Sequence, residues 1–298
     1  MRKILLLFVT SIISPLVYCQ DYLEQFNEFF QEGDTLNQRL VLENWEKDDP
    51  KDPELYTCYF NYHFNNSKKE VLALTNEEPD GESLIISDSL NDTVGFLGGK
   101  VHYDQIEFER SIDKINKGIE LYPNRLDMRF GKIYAFGQVE DWRRFTDEII
   151  VTVNYSVVNN NEWTWTNNEN TKTDANDFLL SIQDYQLQLY NTRDVDLLLD
   201  MREIGLAILK HYPDHIESLS DISITYLIVG ENDKAIEYLL RAEKLNPQDY
   251  IVLGNIAEAY KRQGDVNKAI EYYKKILLYG DDQSREYAEG QLEDLKDN

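Results

Sequence analysis

Cysteine is nearly absent. The 298-residue chain holds two, Cys19 and Cys58, and a chain cleaved after Cys19 keeps one thiol and can form no internal disulfide. Cys58 sits in the apolar-aromatic stretch 55–64 and reads as a small buried side chain rather than a reactive thiol. Seven prolines and 14 glycines are too few for a collagenous or linker-dominated chain. Basic residues are also in deficit: 30 Lys and Arg face 55 Asp and Glu, a formal net charge of −25. Such a polyanion is a poor nucleic-acid binder, because phosphate contacts need clustered cations, and it gains nothing from an anionic membrane surface. A hydrophobic content of 42% with 12% aromatics is enough for a packed core and excludes global disorder.

Long apolar runs are missing beyond the first 19 residues, MRKILLLFVTSIISPLVYC. Arg2 and Lys3 give a positive start, and the run from Ile4 to Val17 is broken by Ser11, Ser14 and Pro15. That is shorter than the roughly 20 apolar residues of a membrane helix and has the order of a secretory signal. Val17 and Cys19 suit the positions before a cleavage that leaves Gln20 first. The competing reading lipidates Cys19, against which stands Tyr18 where lipoprotein signals have Gly, Ala or Ser. The expected address is the periplasm or cell envelope, with no transmembrane segment in the mature chain.

Catalytic constellations are missing too. Gly99-Lys100 is followed by Val101 and lacks a glycine at position 94, so it is no phosphate-binding loop. Neither a GxSxG elbow nor an HExxH helix occurs. His211 and His215 are separated by Pro213, which breaks the helix that would put both on one face. With 55 acidic residues, carboxylate pairs arise by chance and carry no weight. A non-enzymatic role is expected, with no metal and no cofactor.

What is present is a repeat. Pro213 maps to Pro247, Leu219 to Leu253, Ile222 to Ile256, Tyr226 to Tyr260, Gly230 to Gly264, and Lys234-Ala235-Ile236-Glu237-Tyr238 to Lys268-Ala269-Ile270-Glu271-Tyr272, always with a shift of 34 residues. Leu219, Ile222 and Tyr226 recur at three and four residues, one apolar stripe on a first helix. Glycine at 230 lets the chain turn, Ala235 is small where a second helix approaches the first, and Pro247 ends the unit. Weaker copies lie upstream, around ELYP at 120–123 and KHYP at 210–213.

This pattern resembles the tetratricopeptide repeat. The resemblance implies an all-α fold, an α-α solenoid of helical hairpins, with two clear units at 216–249 and 250–283. The runs VLALT at 71–75 and SLIIS at 83–87 around Pro79-Asp80-Gly81 predict a small β-hairpin insertion. The expected organisation is a signal over 1–19, a helical region of degenerate repeats over 20–69, the insertion over 70–104 and further degenerate repeats over 105–215. The two units follow over 216–283, with a capping helix over 284–298. The signal, the first mature Gln and the phrase LYPNRLDMRFGKIY resemble exported tetratricopeptide proteins of Bacteroidota.

The resemblance implies a scaffold or adaptor that holds a protein or peptide partner in the groove lined by first helices. In peptide-clamping members of the family, Lys, Arg and Asn there grip a terminal carboxylate. This chain offers Ser220, Ile224, Gly254 and Glu258 at those positions, with Asn255 the one partial match. Two other features invite ligands. Arg125, Arg129 and Lys132 fall on one helical face, a basic stripe suited to an anionic group or, more plainly, to the chain's own acids. In the loop 159–170, Trp163 and Trp165 project to one side if the backbone is extended, flanked by Asn161 and Asn167. That is a stacking platform for a glycan, or else indoles plugging a gap while asparagines make turns. A glycan-binding envelope protein, as SusD-like lipoproteins are, is therefore the alternative function.

Overall fold

The computed structural model describes residues 15–78, 82–170 and 174–296, with side chains from residue 22 onward. Of the expected signal only residues 15–19 fall inside this range, and the Cys19 side chain and the turn Pro79-Asp80-Gly81 lie outside it. The described residues form thirteen α-helices and three strands. No described helix is long and apolar enough to cross a membrane. The chain divides into two compact units, Met1–Ala135 with Thr164–Asn170, and Phe136–Trp163 with Thr171–Asn298.

In the first unit, α1 (Pro15–Glu32), α2 (Thr35–Asp48) and α3 (Pro53–Ser67) pack in sequence, and α3 packs on α4 (Gln105–Leu121). The helix starts are written in the sequence. Asp34, Asp52 and Asp104 each accept a hydrogen bond from an otherwise orphaned N–H of the first turn, and Pro53 occupies a position where no donor is needed. Gly33, at φ +71°, turns α1 into α2. Phe26, Leu42, Trp45 and Leu55 are fully buried between these helices, and Cys58 lies beside them. Burying one such side chain contributes about 1.5–3 kcal/mol. The Trp45 indole N–H is satisfied by Asp52 Oδ2 at 3.2 Å, so the large ring costs no lost hydrogen bond.

The insertion between α3 and α4 is a three-stranded antiparallel sheet rather than a two-stranded hairpin. Its strands are β1 (Lys68–Thr75), β2 (Ser83–Ser87) and β3 (Thr93–Tyr103), in the order β1-β3-β2. The glycine-bearing segment is the central strand. It pairs from Lys68↔Tyr103 to Thr75↔Phe96 on one side and from Ser83↔Gly98 to Ser87↔Thr93 on the other. Gly95, Gly98 and Gly99 lower its intrinsic strand preference, and pairing along both edges outweighs that. A Cβ at Gly95 would meet the Thr75 backbone carbonyl at 3.1 Å, so that glycine serves close approach, while one at Gly99 would meet only the movable end of the Glu70 side chain.

Helix α5 (Leu126–Gln138) begins in the first unit and ends in the second. The second unit continues with α6 (Trp142–Val158), α7 (Ala175–Asn191), α8 (Leu197–His211), α9 (Ile216–Ile228), α10 (Asn232–Leu245), α11 (Tyr250–Gln263), α12 (Val266–Tyr279) and α13 (Asp282–Asp294). From α8 onward each helix packs on the next, and the 34-residue shift carries the hairpin α9–α10 onto the hairpin α11–α12. Leu219, Ile222, Ala235, Leu239 and Ala242 are fully buried, as are Leu253, Ile256, Ala269 and Tyr273 in the next copy. Gly230 and Gly264, at φ +78° and +82°, make the turns between helices. The repeat also reproduces an aromatic pair: Tyr226 stacks on Tyr238 at 5.9 Å, and Tyr260 on Tyr272 at 5.8 Å. Asp281, standing where a third proline would fall, caps α13 by accepting from the Ser284 N–H. Packed helices, with a 34-residue hairpin repeat over α9–α12 and a small sheet insertion, are thus the architecture of the described residues.

Candidate functional site

The basic stripe on α5 resolves into separate roles. Arg125 is fully buried. It donates Nη1–H and Nη2–H to Glu54 at 2.6 and 3.2 Å, and Nε–H and Nη2–H to Asp127 at 2.8 and 2.7 Å. Burial alone would lower the guanidinium's pKa, and the hydrogen bonds to Asp127 and Glu54 more than reverse it. Arg129, 4% exposed, directs Nε–H and Nη2–H to the Pro123 carbonyl. Lys132 is half-buried on the same helix. Farther along, Arg143 faces Asp147, Asp200 and Glu203, and Arg144 faces Asp141. Arg125 and Arg129 therefore present no exposed guanidinium to an external anion; the chain's own acids and carbonyls occupy them.

The Asn/Trp loop is not extended. Asn160, Asn161, Asn167 and Asn168 all adopt positive φ, between 53° and 58°. Asparagine tolerates that region better than other L-residues, so the amide-rich sequence serves to curl the chain. Trp163 is 1% exposed, with its ring on Phe178 at 5.4 Å and near Tyr155 at 5.9 Å. Trp165 is 41% exposed and meets Phe130 edge-on at 6.3 Å. Asn161 exchanges hydrogen bonds with the Tyr212 hydroxyl, and the Asn167 backbone N–H donates to Glu54 Oε1 at 2.7 Å. Of the two readings the sequence left open, Trp163 follows the packing one, and Trp165 is half-exposed.

Two motifs noted separately in the sequence meet here. Thr164 bridges the turn before α5, its N–H bonding the Asn124 carbonyl and its carbonyl accepting from Leu126. Glu54 Oε1 then accepts from both Arg125 and Asn167. In the sequence Glu54 closes an acidic run over 43–54 that reads as solvated surface; the structure corrects this by burying Glu54 at the helix start after Asp52-Pro53, where Arg125 pairs with it.

In the second unit, the first helices α9 and α11 lie side by side. Asn255 Nδ2–H reaches Ser220 Oγ at 3.3 Å, and Arg262 links Glu258 to the Leu227 carbonyl at 2.7 and 2.9 Å. On these helices Ile251, at the start of α11, and Ile228, at the end of α9, are exposed at 61% and 44%, and Ile224 is half-buried. Gly254 keeps the floor low, since an added Cβ would meet only Ile276 at 3.7 Å. Burial, and then nearby Glu217, push the Asp221 carboxyl on α9 up to about 6. Ile228 also borders a cavity of about 430 Å³ lined by Tyr190, Arg193, Val195 and Leu198. Arg193 sits there at φ +59° and has no ion pair among the described residues.

The histidines do not converge. His211 bonds Asn154 at 2.7 Å, while His215 caps α9 through Ser218. No group of three His, Cys, Asp or Glu with metal-ligand geometry occurs among the described residues.

Stacked helical hairpins with a 34-residue period define a helical repeat protein over α9–α12. Residues 226–292 match the family model described as Tetratricopeptide repeat. A 70-residue segment is 33% identical to the protein CTR9 homolog of Arabidopsis thaliana, covering 22% of this chain and 6% of that protein. Among solved structures, YrrB, a TPR protein with an unusual peptide-binding site, aligns at TM-score 0.41 and 13% identity over 84% of this chain and 97% of its own. MamA aligns at 0.38 and 16% over 61% and 93%. The P58(IPK) TPR domain aligns at 0.33 and 12% over 94% and 66%.

Proposed function

We propose that the chain is an exported, non-catalytic scaffold that holds a segment of another protein against the first-helix face of α9 and α11. The observation that carries this is exposed Ile228 at the rim of a cavity that Arg193 also lines, with Ile251 exposed on the neighbouring first helix. An apolar side chain of the partner fills the cavity, and an acidic group or carboxyl terminus meets Arg193. Such a partner is recognised without metal or cofactor. Export to the periplasm or envelope is supported by the order of residues 1–19. A glycan partner has only half-exposed Trp165 for support, since Trp163 offers no free face.

Ile228→Asp and Ile251→Asp change exposed positions, so the helical circular dichroism should survive. Each is expected to lower recovery of the partner from envelope extracts by about tenfold or more, because an unpaired carboxylate then faces an apolar ligand surface. Recovery of the same partner at wild-type level by both variants would place its binding elsewhere.

A further inference from the structure

The sheet in the first unit ends in two edge strands, β1 and β2. An edge presents unpaired N–H and C=O groups, and proteins blunt edges with shortness, charge, proline or bulges. Strand β2 is blunted: it has five residues, a register shift between Ile86 and Ser87, and Glu82 and Asp88 at its ends. Two copies of β2 paired antiparallel about Ile85 would set Glu82 against Asp88 at both ends. Strand β1 carries charge only at its start, in Lys68, Lys69 and Glu70. It runs eight residues in unbroken register, without proline or glycine, and exposes Leu72 at 79% and Leu74 at 72%.

The charges around β1 are self-complementary. The segment reads Lys68-Lys69-Glu70-Val71-Leu72-Ala73-Leu74-Thr75-Asn76-Glu77-Glu78. Antiparallel pairing with a second copy about Ala73 sets Lys68 opposite Glu78, Lys69 opposite Glu77, Leu72 opposite Leu74 and Val71 opposite Thr75. Moving the centre to Leu74 sets Glu70 against Glu78, and moving it to Leu72 leaves Lys69 opposite Thr75. Only the Ala73 register matches both lysines with acids. Within one copy, Lys69, Glu77 and Glu78 have no ion pair among the described residues, and the Lys68 ammonium rests over the Phe64 ring at 4.9 Å.

We propose that β1 is a self-recognition edge, through which two copies of this chain pair antiparallel about Ala73 and join their three-stranded sheets into one of six strands. The contact is isologous: the same edge serves both copies, and a two-fold axis normal to the sheet keeps like faces on one side. In a chain of net charge −25, two copies repel, and this edge is where opposite charges meet at both ends. The β1 edge belongs to the first unit and the α9–α11 face to the second, so either assignment stands without the other.

Light scattering and sedimentation of the full chain should show a dimer. The double variants Lys68→Glu/Lys69→Glu and Glu77→Lys/Glu78→Lys each place like charges at both ends. Each should weaken self-association by about tenfold or more. Their equimolar mixture should dimerise again, because each variant then faces the opposite sign. Ala73→Cys should oxidise to a linked dimer, its two Cα atoms falling within the roughly 4.4–6.8 Å that a disulfide spans. Val71→Cys, out of register with its own copy, should not. A monomer at every concentration, a dimer indifferent to both double variants, a mixture no more associated than its components, or equal cross-linking at 71 and 73 would each overturn the proposal. Should a charge variant misfold, the cysteine pair still decides.

Discussion

Trp163→Ala is expected to destabilise the second unit by about 3–5 kcal/mol, the usual cost of emptying the space of a fully buried large aromatic side chain. The indole is 1% exposed and stacked on Phe178, so the lost contacts cannot be replaced by water without opening the core. Trp165→Ala, at a half-exposed ring with one edge contact, should cost about 1 kcal/mol or less. Urea titrations followed by circular dichroism separate the two, and Trp163→Phe, which retains a ring against Phe178, should recover much of the loss. Equal, small costs for both alanine variants would mean that Trp163 stands in solvent after all.

Arg125→Met should be comparably severe, at about 3–5 kcal/mol, for a different reason. The methionine fills much of the volume but leaves Glu54, 6% exposed at its side chain, without its cation. Three pieces of chain are held by that pair: the start of α3 through Glu54, the start of α5 through Asp127, and the loop through the Asn167 N–H. Arg125→Lys should rescue poorly, because an ammonium cannot present the planar set of donors that both carboxylates use. Removing the orphaned charge as well, in Arg125→Met/Glu54→Met, should restore part of the stability, since an apolar pair of similar volume carries no desolvation cost. Denaturant midpoints of the three variants check this order. A double variant no more stable than Arg125→Met would show that the cost lies in packing and not in the unpaired carboxylate.

The two results bear on what a sequence can disclose. The hairpins α9–α10 and α11–α12 were legible because the contacts that make them are local and repeated: Leu219 and Leu253, Ala235 and Ala269, Gly230 and Gly264 do the same work 34 residues apart. Repetition supplies the comparison that a lone segment lacks. Central strand β3 was not legible, because Gly95, Gly98 and Gly99 argue against a strand until partners on both sides are known. The partner of Arg125 was hidden in the same way: Glu54 lies 71 residues earlier, and no periodicity links the two. For the loop, an extended backbone was the wrong premise. Four asparagines at positive φ turn Trp163 inward, and a period-two reading of the side chains does not survive that curl. The first-helix face was only partly visible, since Ile224 and Gly254 were recognised as departures from a carboxylate clamp while the cavity beside Ile228 depends on the distant loop at 190–195.

Amide hydrogen exchange of the chain with and without its captured partner tests the interaction surface most directly. The account predicts that amides of α9 and α11 slow on binding while those of α10 and α12 keep their rates. Protection confined to α10 and α12, with α9 and α11 unaffected, would contradict it.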